Sequence, residues 1–238
     1  ETACKLANLL QEKYPINAMG VSANVLQKES LVDAQQHIAQ SFGEIHFLIN
    51  GAGGNSPKAT TKVEYIDPSM DIAWENTFFG LVQEGFEHVF DLNFMGTLLP
   101  TMVFGRQMVE QGAGVIINIS SMNALKPLTK IPAYSAAKSA VNNFTEWLAV
   151  HFGKTGVRVN AIAPGFFLTN QNRFLLTNEQ TGQLTDRGNK IISSTPMGKF
   201  GNPEDLNGTL LYLLSNMSSF VTGVVIPVDG GFNAFGRV

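Results

Sequence analysis

A tyrosine and a lysine four residues apart, Tyr134 and Lys138, give the clearest chemical signal in this sequence. They lie in an apolar-periodic segment that predicts a helix, and residues four apart share one helix face. An ammonium about 5 Å from a phenol, at an effective dielectric of about 20, lowers the phenol pKa by about two units. The pair therefore predicts a tyrosine that exchanges a proton near neutral pH.

A serine precedes this pair at a fixed distance. Ser121 lies thirteen residues before Tyr134 and follows the strand-like run Val115 to Ile119. Its hydroxyl can hydrogen-bond the same substrate oxygen that the tyrosine protonates. Because the Tyr-x-x-x-Lys spacing is common in helices without catalysis, the strand and the serine are what make it indicate an acid–base site.

Strand-like and helical patterns alternate along the chain, which is typical of a three-layer, doubly wound parallel sheet. The predicted strands are Ala18 to Ala23, His46 to Asn50, Val115 to Ser120, Arg158 to Ala163 and Val224 to Val228. The predicted helices are Thr2 to Lys13, Ser30 to Phe42, Gly85 to Gln111, Tyr134 to Phe152 and Pro203 to Leu214. Segments 54–83 and 166–197 break the alternation after strand C-termini, where such sheets bind ligands. We predict one α/β domain over residues 1–238.

Composition agrees with a single globular domain and excludes several functions. The 238 residues are 44% hydrophobic and 15% charged, and they are enough for a sizeable core. A net charge of −3 gives no attraction for nucleic acid, and no apolar stretch is long enough to span a membrane. The single cysteine, Cys4, excludes an internal disulfide and favours a cytoplasmic protein. The four histidines lack metal-ligand spacing, so no metal is predicted.

Several motifs, in order along the chain, resemble those of the short-chain dehydrogenase/reductase family. Asn50-Gly-Ala-Gly53 follows a predicted strand, where the family usually has Asn-Asn-Ala-Gly. Asn93 matches the family's catalytic asparagine, and the segment Arg158 to Gly165 with Thr169 matches its Pro-Gly-x-x-x-Thr turn. Val221 to Gly231 matches the last strand. Each motif is weak alone, but together with the serine, tyrosine and lysine they indicate the family along the whole chain.

The resemblance implies a Rossmann-type fold and hydride transfer between a carbinol carbon and a nicotinamide cofactor, NAD or NADP, with NAD favoured. It implies a catalytic tetrad of Asn93, Ser121, Tyr134 and Lys138. In this tetrad Tyr134 exchanges the proton and Ser121 orients the substrate oxygen. Lys138 also contacts the nicotinamide ribose, and the backbone of Asn93 holds a water that links Lys138 to solvent.

The resemblance also places cofactor contacts at the strand ends. They are Asn24, Asn50, Gly51, Ala52, Gly53, Tyr134, Lys138, Pro164, Gly165, Phe167 and Thr169. Gly51 and Gly53 would let the backbone approach the ribose and adenine, where a Cβ would intrude. Asn24 stands where relatives usually carry an aspartate that accepts from the adenine amino group. An amide oxygen accepts without the charge, and an ordinary loop asparagine is an equal alternative.

The glycine-rich turn with which the family begins, Thr-Gly-x-x-x-Gly-x-Gly, is missing from this sequence. The helical pattern Glu1 to Leu10 resembles the helix after the family's second strand, so an N-terminal strand-helix-strand unit is expected to be absent. Two interpretations remain open, an omitted N-terminus and a genuine truncation. The determinant of NAD against NADP lies in this unit.

The long segment between Gly53 and Asn93 resembles the sugar-acid branch of the family, as do segments 118–130, 165–174 and 195–201. This implies a hexonate substrate, first of all D-mannonate oxidised to D-fructuronate. The polar run Thr169 to Arg173 agrees, since a lipid pocket would be apolar there. Another hexonate or polyol, such as gluconate, is one alternative. A non-catalytic dinucleotide-sensing module is the other.

Five residues are predicted to bind this substrate: Ser121, Asn123, Lys130, Asn170 and Arg173. Arg173 is the first choice for the carboxylate because a guanidinium binds it bidentately, and Lys130 is the second. Asn123 and Asn170 are candidates for the sugar hydroxyls. Since relatives are commonly tetramers, we also expect a homotetramer packed through the Tyr134 helix and its neighbour.

Overall fold

Four parallel strands form the sheet in this protein. The computed structural model describes residues 2–69, 71, 73–169, 172–178 and 180–236. The strands are β1 (Phe47–Asn50), β2 (Gly114–Ile119), β3 (Val157–Pro164) and β4 (Val225–Val228), and they pair in that order. All three ladders are parallel. The carboxyl ends of the strands therefore meet at one edge of the sheet.

Helices cover both faces of this sheet. The α-helices of the described residues are α1 (Thr2–Lys13), α2 (Lys28–Phe42), α3 (Gln83–Phe90), α4 (Gly96–Gln111), α5 (Pro132–His151), α6 (Arg173–Leu176), α7 (Asp186–Ser193) and α8 (Asn207–Leu214). On one face, Ile116 of β2 packs in a core cluster with Met108 of α4 and Leu148 of α5. On the other face, Ile117 packs with Leu213 of α8. Successive strand residues point to opposite faces, so this alternation confirms the three-layer doubly wound fold.

The predicted strand Ala18 to Ala23 does not form. These residues have no regular secondary structure, although Val21 still packs against the core cluster of α2 and α4. A strand exists only where its N–H and C=O groups pair with a neighbour, and no described segment pairs with this one. The apolar pattern correctly predicted that this segment packs against the core, but a pattern within one segment does not show whether a second strand lies beside it.

The predicted helix Gly85 to Gln111 is divided in three. A widened, π-helical turn over Asp91–Met95 separates α3 from α4. Such turns insert one extra residue and are frequent at functional sites. Pro100 lies inside α4 and cannot donate a backbone hydrogen bond there. Apolar periodicity continues through all three pieces, which is why the sequence predicted a single helix.

The two segments predicted to break the alternation contain short elements of their own. Segment 54–83 has 3-10 turns at Pro57–Ala59, Trp74–Asn76 and Phe78–Gly80. Segment 166–197 contains α6 and α7, which the sequence reasoning missed. Helix α7 is capped by Thr185, whose hydroxyl oxygen accepts a hydrogen bond from the Gly188 N–H at 3.1 Å. Thr/Asp at the start of an amphipathic stretch is the signal that could have located it.

Candidate active site

Three of the four predicted catalytic side chains meet at the carboxyl end of β2. Ser121 follows this strand, while Tyr134 and Lys138 lie on the first turns of α5, which packs against the 3-10 turn Met122–Ala124. The Lys138 ammonium lies 5.8 Å from the centroid of the Tyr134 ring. It donates a hydrogen bond to the carbonyl oxygen of Ile119 at 2.7 Å. The strand end and the helix start thus bring together the serine, phenol and ammonium.

The predicted effect of Lys138 on Tyr134 is wrong for this structure. Burial raises the pKa of Tyr134 above its ordinary value, and hydrogen bonding with Ser121 opposes that shift only in part. Burial also lowers the pKa of Lys138 to about 8. The packing that brings the two groups together also removes the water that would stabilise a phenolate and an ammonium. Sequence spacing revealed the proximity but not this desolvation.

The fourth predicted residue, Asn93, lies in the widened turn and is fully buried. Its amide nitrogen donates to the carbonyl oxygens of Gly54 at 2.7 Å and Val89 at 2.8 Å. Its amide oxygen accepts from the Gly54 N–H at 3.2 Å. The side chain therefore holds the loop after β1, a contact that the sequence reasoning missed. Its backbone carbonyl, predicted to hold a water, accepts a hydrogen bond from the Thr97 hydroxyl at 2.9 Å.

Gly53 lies directly against two of these side chains. A Cβ placed on it would be 2.8 Å from Asn93 Oδ1 and 3.1 Å from Lys138 Nζ. Both distances are shorter than ordinary carbon contacts, so a larger residue would displace the amide or the ammonium. Gly51, by contrast, faces open space. At Gly53 the absence of a Cβ is therefore required by the side chains of Asn93 and Lys138, which lie close to its backbone.

Two predicted cofactor contacts are engaged within the protein. Asn50 is buried, and its side chain donates to Thr101 and Asn118 within the helix–sheet interface. The side-chain oxygen of Asn24 accepts from the Leu26 N–H at 3.0 Å, which forms a turn before α2. This geometry agrees with the alternative of an ordinary loop asparagine at position 24. Ala52 lies half-buried in the same loop as Gly51.

The Pro-Gly turn after β3 is held by backbone and amide contacts. The Gly165 N–H donates to the Val228 carbonyl at 2.9 Å, and Phe167 pairs with Gly201 in an isolated parallel bridge. Beyond it, the Asn172 side chain donates to the Phe167 carbonyl at 2.7 Å and accepts from the Thr169 N–H at 2.8 Å. Asn172, which the sequence reasoning did not single out, therefore organises the loop that carries two predicted cofactor contacts. Pro164 is the last residue of β3.

The structure separates the predicted substrate residues. Asn123 is only 6% exposed and follows Ser121 closely, its N–H donating to the Ser121 hydroxyl oxygen at 3.2 Å. Its side-chain oxygen has no hydrogen-bond partner within the described parts of the chain. Arg173 is exposed at the start of α6. Asn170 lies outside the described residues.

Lys130 lines a cavity of about 580 Å³ beside the start of α5. Segment 54–83, the loop before α5, α7 and the aromatic residues Phe166 and Phe232 form its walls. Arg173 does not line it. Charged side chains from α7, Arg187 and Lys190, do so instead. Sequence reasoning missed both, because α7 was not predicted.

Among the described residues, no three potential ligands cluster as a metal site. None of the helices in that part of the chain combines the length and apolar character needed to cross a membrane.

A doubly wound parallel sheet with a buried serine and lysine and a partly buried tyrosine at its carboxyl edge is the arrangement of a short-chain dehydrogenase/reductase. A family model described as enoyl-(acyl carrier protein) reductase matches residues 1–233. The chain belongs to this family of short-chain dehydrogenases/reductases, which confirms the resemblance seen in its motifs.

Individual relatives are similar over most of their length. An oxidoreductase of Haemophilus influenzae without a characterised activity is 53% identical over 239 residues, which cover 100% of this chain and 83% of the relative. A crystal structure from the same species, of a protein provisionally named D-mannonate oxidoreductase and bound to NAD, is 52% identical with a TM-score of 0.92. It covers 99% of this chain and 83% of that one. The 2-dehydro-3-deoxy-D-gluconate 5-dehydrogenase of Dickeya dadantii is 33% identical over 194 residues, 81% of this chain and 67% of the relative.

Proposed function

We propose that this protein is an NAD(P)-dependent oxidoreductase of a sugar acid and that it interconverts D-mannonate and D-fructuronate, with NAD favoured. The observation that carries the proposal is the meeting of Ser121, Tyr134 and Lys138 at the carboxyl edge of the sheet. The substrate assignment draws further support from the 52% identity to the NAD-bound protein provisionally named D-mannonate oxidoreductase.

The residues around Lys138 suit a nicotinamide cofactor. An ammonium has three donors, and the contact with Ile119 uses one of them, which leaves donors for the hydroxyls of a ribose. The open face of Gly51 allows a flat or bulky group to approach the backbone. When bound, the nicotinamide ring supplies or accepts the hydride.

The protein's own residues handle the proton at the substrate oxygen. Burial keeps Tyr134 protonated, so during reduction its hydroxyl can donate to the oxygen that gains negative charge. Ser121 lies beside the phenol and orients that oxygen by a hydrogen bond. In the oxidative direction the Tyr134 phenol must first lose its proton; the phenolate then takes the proton of the substrate hydroxyl, and the nearby Lys138 ammonium stabilises the phenolate before that transfer.

A second candidate substrate is another hexonate. The relative named 2-dehydro-3-deoxy-D-gluconate 5-dehydrogenase supports it, since that name describes oxidation at carbon 5 of a related acid. The fold and the proton chemistry would serve either substrate, so only the side chains that line the substrate pocket would distinguish the two.

The test is a panel of substrates, in which turnover is measured from the absorbance of the reduced nicotinamide. Hexonates, ketohexuronates, hexitols and an apolar ketone are each assayed with NAD, NADP and their reduced forms. We expect the highest kcat/KM on D-mannonate with NAD and on D-fructuronate with NADH. Turnover of the apolar ketone without turnover of any sugar acid would reject the proposed substrate class.

A further inference from the structure

We propose that Arg187 and Lys130 form the subsite that selects an anionic substrate, and that Glu64 competes with the substrate's carboxylate for the positive charge of Lys130. The proposal rests on the sugar-acid activity proposed above and assigns its specificity to residues from three distant parts of the chain. Arg187 lies on α7, Lys130 precedes α5, and Glu64 belongs to segment 54–83.

These side chains share one cavity of a suitable size. All three line the 580 Å³ space beside the start of α5. Small-molecule sites commonly enclose about 300–1,000 Å³, so a six-carbon acid fits with room for water. Its apolar wall includes Phe166 and Phe232. A cavity with aromatic walls and a few charged groups is the usual form of a site that selects one charged ligand.

The cavity lies beside the start of helix α5, the helix that carries the proposed proton donor. Ile131, which also lines it, immediately precedes α5, and its carbonyl oxygen accepts a hydrogen bond from the Ser135 N–H at 3.2 Å. Tyr134 lies three positions further along the chain, so the proposed arrangement has the reacting carbon at Tyr134 and the carboxylate, several bonds away, in this cavity. The Thr61 N–H donates to the Lys130 carbonyl at 2.9 Å, which fixes segment 54–83 to this loop.

Lys130 itself has an unusual backbone. Its φ of 73° lies in the left-handed region, and no other non-glycine residue in the described ranges has a positive φ. A residue with a Cβ adopts this region only when its surroundings hold it there, and such residues cluster at functional sites. The constrained backbone and the hydrogen bond from Thr61 together fix the position of the Lys130 Cα, from which the side chain extends.

The charges around the cavity do not balance. Three cations, Lys130, Arg187 and Lys190, line it together with two carboxylates, Glu64 and Asp186. Glu64 lies 2.9 Å from the Lys190 ammonium, and the charge of Asp186 acts on Lys190 as well. Within the described ranges, neither Arg187 nor Lys130 forms an ion pair within 4.0 Å. The cavity therefore carries one excess positive charge, which one carboxylate would neutralise.

The charges of two cavity lysines act on the Glu64 carboxyl group. Lys190 lowers the pKa of the Glu64 carboxyl most strongly, and the charge of Lys130 contributes to the same shift. Glu64 therefore carries its negative charge inside the field that would attract a substrate's carboxylate. Removing this charge should strengthen acid binding, whereas removing Arg187 or Lys130 should weaken it.

The proposal can be tested because loss of Glu64 should tighten acid binding, whereas loss of Arg187 or Lys130 should weaken it. Arg187→Gln, Lys130→Gln and Glu64→Gln are compared with Arg106→Gln, a control that removes an exposed arginine of α4. Kinetics with D-mannonate and NAD give kcat/KM. Calorimetric titration of D-mannonate into the NADH-bound protein gives a Kd that needs no turnover.

We expect each cation variant to raise the D-mannonate Kd about tenfold. Glu64→Gln should lower it about threefold, and the Arg106 control should leave it unchanged. A variant that merely loosened the loop would weaken binding, so tighter binding by Glu64→Gln supports the electrostatic competition specifically.

Failure of the proposed function and failure of the proposed subsite give different results. If wild-type protein oxidises no hexonate, the proposed function fails before the variants are compared. If it oxidises D-mannonate but all four variants bind it alike, the subsite is overturned while the function stands. Weakening confined to a parallel Arg173→Gln variant also overturns it and transfers the carboxylate to the residue first predicted from the sequence.

Discussion

The side chains of Asn50 and Asn118 are hydrogen-bonded to each other across neighbouring strands, with Asn50 Nδ2 donating to Asn118 Oδ1 at 2.9 Å. The two residues are also partners in the β1–β2 ladder. Asn50 donates further to the Thr101 hydroxyl oxygen of α4, and Asn118 donates to Thr145 of α5, each at 2.9 Å. A buried polar chain thus ties the two helices that flank the site to the sheet.

Breaking this chain should destabilise the protein. Asn118→Ala removes one hydrogen bond from each of the buried side chains of Asn50 and Thr145, so we expect the free energy of unfolding to fall by about 2–4 kcal/mol. Urea denaturation of Asn50→Ala, Asn118→Ala and the double variant measures the coupling. Exposed Asn143→Ala is the control. Strictly additive losses would contradict a coupled pair.

Tyr134→Phe should abolish turnover while the protein still binds cofactor. The substitution removes the transferable proton and keeps the ring, so kcat should fall at least a hundredfold, about the scale of general acid catalysis. Stopped assays with D-mannonate measure turnover, and fluorescence titration measures the Kd of NADH. Tyr14→Phe, at an exposed position after α1, is the control. Retention of more than about a tenth of the wild-type kcat would remove Tyr134 as the proton donor.

Lys138→Met should reduce activity and change how stability depends on pH. The folded-state pKa of Lys138 is about 8, below the ordinary 10.5, so the folded protein bears the cost of the buried charge below pH 8. As the pH rises from 8 to 10.5 the folded state loses its proton first, and this cost disappears. The cost is on the order of 3 kcal/mol.

We therefore expect wild type to gain about 2–3 kcal/mol of unfolding free energy relative to Lys138→Met between about pH 7 and pH 10. Urea denaturation at both pH values gives the difference, and exposed Lys154→Met shows what a surface lysine contributes. A difference that does not change with pH would mean that Lys138 is not desolvated.

Gly53→Ala should damage the site without unfolding the protein. Its Cβ would lie 2.8 Å from Asn93 Oδ1 and 3.1 Å from Lys138 Nζ, so one of these groups must move. We expect about a tenfold or greater loss of kcat/KM, the scale of a small misplacement of positioned groups. Gly208→Ala, where a Cβ meets nothing within 4 Å, is the control. Equal activity of the two variants would show that the loop yields freely.

The homotetramer remains a prediction. On α5, Trp147 is 57% exposed and Val150 is 84% exposed, an apolar pair that a partner helix could cover. Two of the small residues on this helix, Ser135 and Ala137, are buried within the protomer and are not available for that contact. Light scattering should give about four times 25.8 kDa for the chain. Val150→Asp should dissociate the assembly, unlike Leu6→Asp on α1, and a monomeric wild type would contradict the prediction.

Local patterns in the sequence predicted four of the strands, most of the longer helices and the residues proposed to carry the proton chemistry. The continuous apolar run of β2 and the four-residue spacing on α5 are local patterns, and they were enough to single out Ser121, Tyr134 and Lys138. They do not reveal the widened turn at Asn93, since apolar periodicity continues through it.

Only the tertiary structure decided the environment of these residues. The Tyr134 pKa moves upward because packing removes water, an effect of burial that spacing does not encode. Asn93 binds Gly54, 39 positions away, and Arg187 shares a cavity with Lys130 through a helix that the sequence reasoning missed. Contacts between distant segments depend on how every intervening element packs. Local spacing therefore predicted which residues carry the proton chemistry, and the fold decided which charges surround the cavity beside them.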